Sequence, residues 1–111
     1  YRSIVRKAPA MIKMCGLGQT LAFLLSKAGK EAKEAQKKPK NAEGYLYRHL
    51  DKWLCRDDSP VAWPKELNGK PLMERLMEVD SFVYRQATRE ALAYLGWLKR
   101  FAEACLEKGG G

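Results

Sequence analysis

Residues 16–27 read GLGQTLAFLLSK. Two glycines flank a leucine, and an apolar run follows. The reading of this stretch decides between a phosphate-cradling loop on a sheet and a break between two helices. A dinucleotide loop needs a third glycine three residues after the second, and a buried strand ahead of the first. Leu21 stands at the third position, and IVRKAPAMIKMC, residues 4–15, does not alternate as a half-buried strand does. A P-loop would end in Gly-Lys-Ser/Thr, which is absent. The stretch therefore reads as a helix ended by Gly16 and a second helix starting near Leu17.

The flanking segments carry the same period. At about 100° per residue, Ile4, Val5, Ala8, Met11, Ile12 and Cys15 fall within an arc of about 120°, and Arg2, Arg6 and Lys13 lie opposite. Pro9 either kinks this helix or opens a second one. Leu17, Leu21, Leu24, Leu25 and Ala28 form the buried stripe of the next, which Gly29 can end. Residues 27–44, KAGKEAKEAQKKPKNAEG, lack any large apolar side chain and are read as a lysine-rich variable loop or helical extension stopped by Pro39.

Asn41 is the expected N-cap of a third helix, with Tyr45, Leu46, His49, Leu50, Trp53 and Leu54 as its buried stripe. Two prolines in RDDSPVAWP, residues 56–64, end it, and NGKP, residues 68–71, makes a turn. Pro71 opens a short helix with Leu72, Leu76 and Met77 inward. The longest helix is expected from about Ser81 to Glu107, capped by Asp80 or Ser81. Its core arc takes Val83, Tyr84, Ala87, Ala91, Tyr94, Leu95, Leu98, Phe101, Ala102 and Cys105. Residues 109–111, GGG, read as a disordered tail. No strand pattern is present, so the expected fold is all-α: one helical bundle of about five helices forming a single domain over residues 1–111.

With 111 residues the chain suffices for one modest core. No apolar run spans a membrane and no signal peptide is present. Cys15, Cys55 and Cys105 are widely spaced and odd in number, which argues against a disulfide framework and for a reducing, cytoplasmic setting. One histidine, His49, and scattered cysteines give no zinc spacing, so no metal or cofactor is expected. His49 has no nucleophile in an elbow-like motif beside it, and Asp57 and Asp58 before Ser-Pro read as turn residues. Catalysis is not expected.

Charge is the more informative quantity. Residues 1–56 hold 13 Lys/Arg against 4 Asp/Glu, and residues 57–80 hold 3 against 6. The net charge is +8, which points to an anionic partner on one side of the molecule. Arg6 and Lys13 share a face with Lys7 at its edge, and Arg85, Arg89, Lys99 and Arg100 form a stripe about 22 Å long. Arginine forks suit phosphates, and no base-reading motif accompanies them. These seven are the candidate nucleic-acid-backbone contacts. Trp53 reads as core, while Trp63 and Trp97 either fold back on the core or anchor a protein partner.

Three blocks then resemble a known family. YRSIVRKAPAMIKMCGLGQTLAFLLSKA (1–28), YLYRHLDKWL (45–54) and YRQATREALAYLGWLKRFAEACL (84–106) are similar, in order, to the small subunit of the type III-B CRISPR effector, the Cmr complex. The pairing of GLGQTLAFL with WLKRFAEA is its specific part. The family usually has a further basic and aromatic N-terminal helix before the position of Tyr1, which this sequence does not show.

The resemblance implies a non-catalytic all-α subunit whose copies stack as a minor filament beside the backbone subunits that hold the guide RNA. Together they line the channel where guide pairs with target RNA. Target RNA cleavage is the backbone subunit's, and DNA cleavage and cyclic-oligonucleotide synthesis are the large subunit's. The implied partners are those subunits, copies of the chain itself, and guide and target RNA, in antiviral defence, with no membrane. The residues leave two alternatives: the small subunit of the type III-A (Csm) complex, or a freestanding helical nucleic-acid-binding regulator.

Overall fold

Gly16 adopts φ +91°, a conformation that costs an L-residue with a Cβ about 1–2 kcal/mol. Its N–H closes the last turn of the helix before it, donating to Ile12 O at 2.8 Å, and its carbonyl accepts the N–H of Thr20 at 3.2 Å to open the next. The Thr20 hydroxyl donates to the same carbonyl at 2.9 Å. One glycine thus ends helix α1 (Arg2–Cys15) and starts helix α2 (Leu17–Ala28).

The computed structural model describes residues 2–28 and 41–109, with side chains over 3–28 and 41–105. Most of the lysine-rich stretch, including Gly29 and Pro39, and residues 110–111 of the tail lie outside the described residues. The remaining elements are α3 (Ala42–Leu54), a 3₁₀ turn (Lys65–Leu67), α4 (Leu72–Glu78) and α5 (Ser81–Gly109), with no strand among the described residues. The fold is all-α. Asn41 caps α3, its side chain accepting from Gly44 N–H at 2.9 Å and donating to Lys27 O at 2.7 Å. Asp80 Oδ1 caps α5, accepting from Val83 N–H at 3.0 Å. Helix α1 runs through Pro9 without a break.

A single cluster of buried side chains joins all five α-helices, with α1 packed on α2 and α5, and α2 packed on α3. Leu17, Leu21, Leu24, Leu46, Leu50, Leu54, Leu72 and Leu95 are fully enclosed, each contributing on the order of 2 kcal/mol of apolar burial. Helix α1 lies antiparallel to α5: Arg6 near its start pairs with Glu103, while Gly16 at its end lies by Tyr84.

Several sequence expectations shift. In α3 the buried arc runs through Leu46, Leu50, Leu54 and Tyr47, whereas Tyr45 and Trp53 are 41% and 37% exposed. The stripe is rotated because Tyr47 is drawn beneath α4, where its hydroxyl accepts the Met73 N–H at 3.3 Å. Met77 is 76% exposed, and Arg75, not singled out in the sequence, is buried on α4's inner face with Leu72 and Leu76. Cys15, Phe101 and Cys105 are exposed, and Met11 and Leu25 are half-buried. Helix α1 runs beside α5 as far as Glu103, but the outer edge of the apolar arc of α5 stays exposed at Phe101.

The segment between α3 and α4 is held by polar contacts. Trp63 folds back on the core, its indole N–H donating to Leu54 O at 2.7 Å. The Arg75 guanidinium lies 5.5 Å from the Trp63 ring centroid, and its Nε–H donates to Lys70 O at 2.7 Å. Pro71 offers no side-chain cap to α4. Asp51 Oδ1 replaces it, accepting the Leu72 N–H at 2.6 Å.

Candidate nucleic-acid interface

The outer face of α5 carries a basic stripe. Arg85, Arg89, Lys99 and Arg100 are all exposed, and none is ion-paired among the described residues. Their positions follow from helix period: the opposite side holds Val83, Ala87, Ala91 and Leu95, each buried. Arg6, Lys7 and Lys13 are exposed on α1. The antiparallel packing of α1 on α5 sets the two helices side by side, and Arg6 Nη2 reaches Glu103 Oε1 at 3.6 Å. Both partners are about half-exposed, so this pair contributes little to stability. Glu103 lies on the same side of α5 as the basic stripe, so the bridge links the two basic faces.

Arg89 also borders a shallow open cleft lined by Pro60, Gln86, Glu90 and Ala93. Gln86 Oε1 accepts the Ala62 N–H at 3.0 Å, which fixes the cleft's loop wall.

A second surface was not legible as a unit in the sequence. Trp53, Tyr94, Trp97 and Phe101 form a row of near-parallel rings, with successive centroids 4.8, 6.4 and 5.3 Å apart. Arg56 closes one end, its guanidinium 3.8 Å over the Trp53 ring. Trp53 Nε1–H donates to Glu90 at 2.9 Å. Trp97 and Phe101 are 53% and 56% exposed. The i, i+3, i+7 spacing of Tyr94, Trp97 and Phe101 was the available signal, but it overlaps the core arc. The row is centred roughly 140° around α5 from the basic stripe, so the helix shows aromatic rings on one side and cations on another. Trp63 is not part of this row.

The remaining polar chemistry is sparse. His49 is half-buried and its ring lies 6.3 Å from that of Tyr45. Burial, then the Lys52 charge, lowers its pKa below the ordinary 6.5. Cys55 is pushed up to about 12, first by burial and then by the Asp51 carboxylate, a state opposed to nucleophilic reactivity. Cys15, Cys55 and Cys105 are free thiols. Among the described residues no three His, Cys, Asp or Glu side chains gather as a metal site, and no helix is long and apolar enough to cross a membrane.

Residues 1–105 match the family model described as CRISPR-associated protein (Cas_Cmr5). The CRISPR system Cmr subunit Cmr5 of Thermus thermophilus is 33% identical over 108 residues, covering 97% of this chain and 76% of that protein. The chain belongs to the Cas_Cmr5 family and is a small subunit of the type III-B CRISPR effector complex.

Proposed function

We propose that the chain is a non-catalytic structural subunit that stacks with copies of itself into a minor filament and holds guide and target RNA by their phosphates. The observation that carries this reading is the uncompensated row Arg85, Arg89, Lys99 and Arg100 on the exposed face of α5, with Arg6, Lys7 and Lys13 on the neighbouring helix. Cations at helical spacing, with no loop or groove-reading helix beside them, suit backbone contact without sequence readout. The other Cmr subunits would carry the chemistry. Cys55, held protonated by burial, is a poor nucleophile. Trp97 is the candidate protein anchor on the face away from the basic stripe, while Trp63 folds back on the core.

Reconstitution tests the reading. The other Cmr subunits and guide RNA, assembled with this chain, are expected to gain mass in whole multiples of 12.6 kDa and to bind target RNA more tightly. No gain in mass, or a gain with unchanged target affinity, would reject it.

A further inference from the structure

Phe82 is 62% exposed at the start of α5, and among the described residues no other ring and no cation lies over it. That sets it apart from Trp97 and Phe101, whose rings stack in the aromatic row. One exposed phenylalanine is ordinary by itself. Its place is not. At about 100° per residue, Phe82 lies within about 20° of Arg89 and in line with Arg100, with exposed Arg85 one turn on and about 60° to the side. An unpartnered ring thus stands at one end of the basic stripe, on the cations' own face of the helix.

The acids near that face are engaged. Asp80 Oδ1 accepts the Val83 N–H at 3.0 Å, and Glu78 is paired with Lys70 at 3.3 Å. Past Phe82 the same face continues through Gln86, Arg89 and Ala93 into the shallow cleft walled by Pro60. The cleft is about 360 Å³ in volume, at the small end of the range that takes small ligands. The Glu90 carboxylate in its lining is already matched, by Arg56 at 3.8 Å and by the Trp53 Nε1–H at 2.9 Å.

We infer that the first half of α5 binds an unpaired stretch of RNA, with one base stacked on Phe82, Arg85 and Arg89 on the flanking phosphates, and the cleft open to the neighbouring base. This rests on the proposed function and adds to it the form of RNA that this part of the stripe takes. A ring beside cations is the arrangement that holds single strands, because every base has a face to stack while the cations follow the backbone. In a duplex the bases are stacked on one another, and the phosphates are what the outer surface offers. A duplex would meet Arg85 and Arg89 and leave Phe82 idle. Stacking of this kind is indifferent to sequence, as phosphate contact is.

Fluorescence anisotropy of the full chain at low, fixed salt tests this with two end-labelled probes of equal length, an unstructured oligouridine and a blunt RNA duplex. Wild type is expected to bind the single strand more tightly. Phe82→Leu keeps an apolar side chain at an exposed site and is expected to lose about tenfold in single-strand affinity, with duplex binding unchanged. Phe82→Tyr, which keeps the ring, is expected to bind as wild type does. Arg85→Ala/Arg89→Ala is expected to weaken both probes. If the arginine variant weakens binding but Phe82→Leu does not, or lowers both probes equally, this inference alone is overturned. If the chain binds neither probe, or the arginine variant has no effect, the phosphate contacts of the proposed function fail and this inference fails with them. If Phe82→Leu binds RNA as wild type does but is no longer taken up by the other Cmr subunits, Phe82 is a protein contact and the inference is overturned.

Discussion

The hydroxyl of Tyr84 sits 2.7 Å from the backbone nitrogen of Gly18 and accepts its hydrogen bond. A Cβ at position 18 would lie 3.3 Å from that oxygen. The two glycines of GLG thus have separate causes: Gly16 turns the chain, and Gly18 admits a tyrosine from α5. An N–H that in a phosphate loop would face a ligand is here occupied by the protein's own side chain.

Tyr84→Phe leaves the Gly18 N–H without its partner and should cost about 1–2 kcal/mol. Gly16→Ala should cost a similar amount through its positive φ. Both are read as a lowered midpoint in urea with native helicity. An unchanged midpoint for both variants would mean that the α1–α2 junction does not set the packing of α5.

The tryptophans should separate by stability. Trp63→Ala removes a ring packed on the core, its bond to Leu54 O and the surface under Arg75, and should cost about 3 kcal/mol. Trp97→Ala, at an exposed site, should cost under about 1 kcal/mol. Thermal melts of the two variants check this, and equal losses would contradict the assigned environments.

Cys55 should resist alkylation at pH 8 while Cys15 and Cys105 react quickly, since burial and Asp51 raise the Cys55 pKa to about 12 and the other two are exposed. The same shift has a stability consequence, joined by Tyr47, whose pKa burial also raises to about 12. Both groups hold their proton longer in the folded state, so the unfolded chain binds fewer protons above pH 9. Stability from these groups is full below that pH and is lost as pH rises from 9 toward 12. The urea midpoint should fall over this range, and fall less for Cys55→Ala. A thiol reacting as fast as the other two would refute the assignment.

His49 gives one histidine signal, so its titration is direct. Burial and Lys52 place its midpoint below 6.5. The folded state disfavours the charged ring, so its contribution to stability is present above pH 6.5 and declines as pH falls below that value. A nuclear magnetic resonance titration with a midpoint at or above 6.5 would contradict the placement of the ring.

Helix existence and type were legible because periodicity and breakers agreed. The boundary at Gly16, the cap at Asn41 and the start at Ser81 are all local chemistry. Side-chain burial near the edges of each apolar arc was less legible. Trp53, Phe101, Met77 and Arg75 are placed by which neighbouring helix or loop covers them, and that is tertiary information: the segment from Cys55 to Pro71 folds over Arg75, while Phe101 stays 56% exposed although α1 reaches Glu103 beside it. The basic stripes were readable as residues on a face. Their alignment across α1 and α5 needed the antiparallel packing shown by Arg6 and Glu103.

The most direct measurement of the central claim is the salt dependence of target-RNA binding by the reconstituted complex, with wild type and with Arg89→Ala/Lys99→Ala/Arg100→Ala. The account predicts that the triple variant is taken up in the same copy number and binds target RNA more weakly. Its slope of log affinity against log salt should be shallower by roughly one unit per lost phosphate contact. Equal affinity and equal slope, with the variant fully incorporated, would show that this face of α5 does not touch RNA.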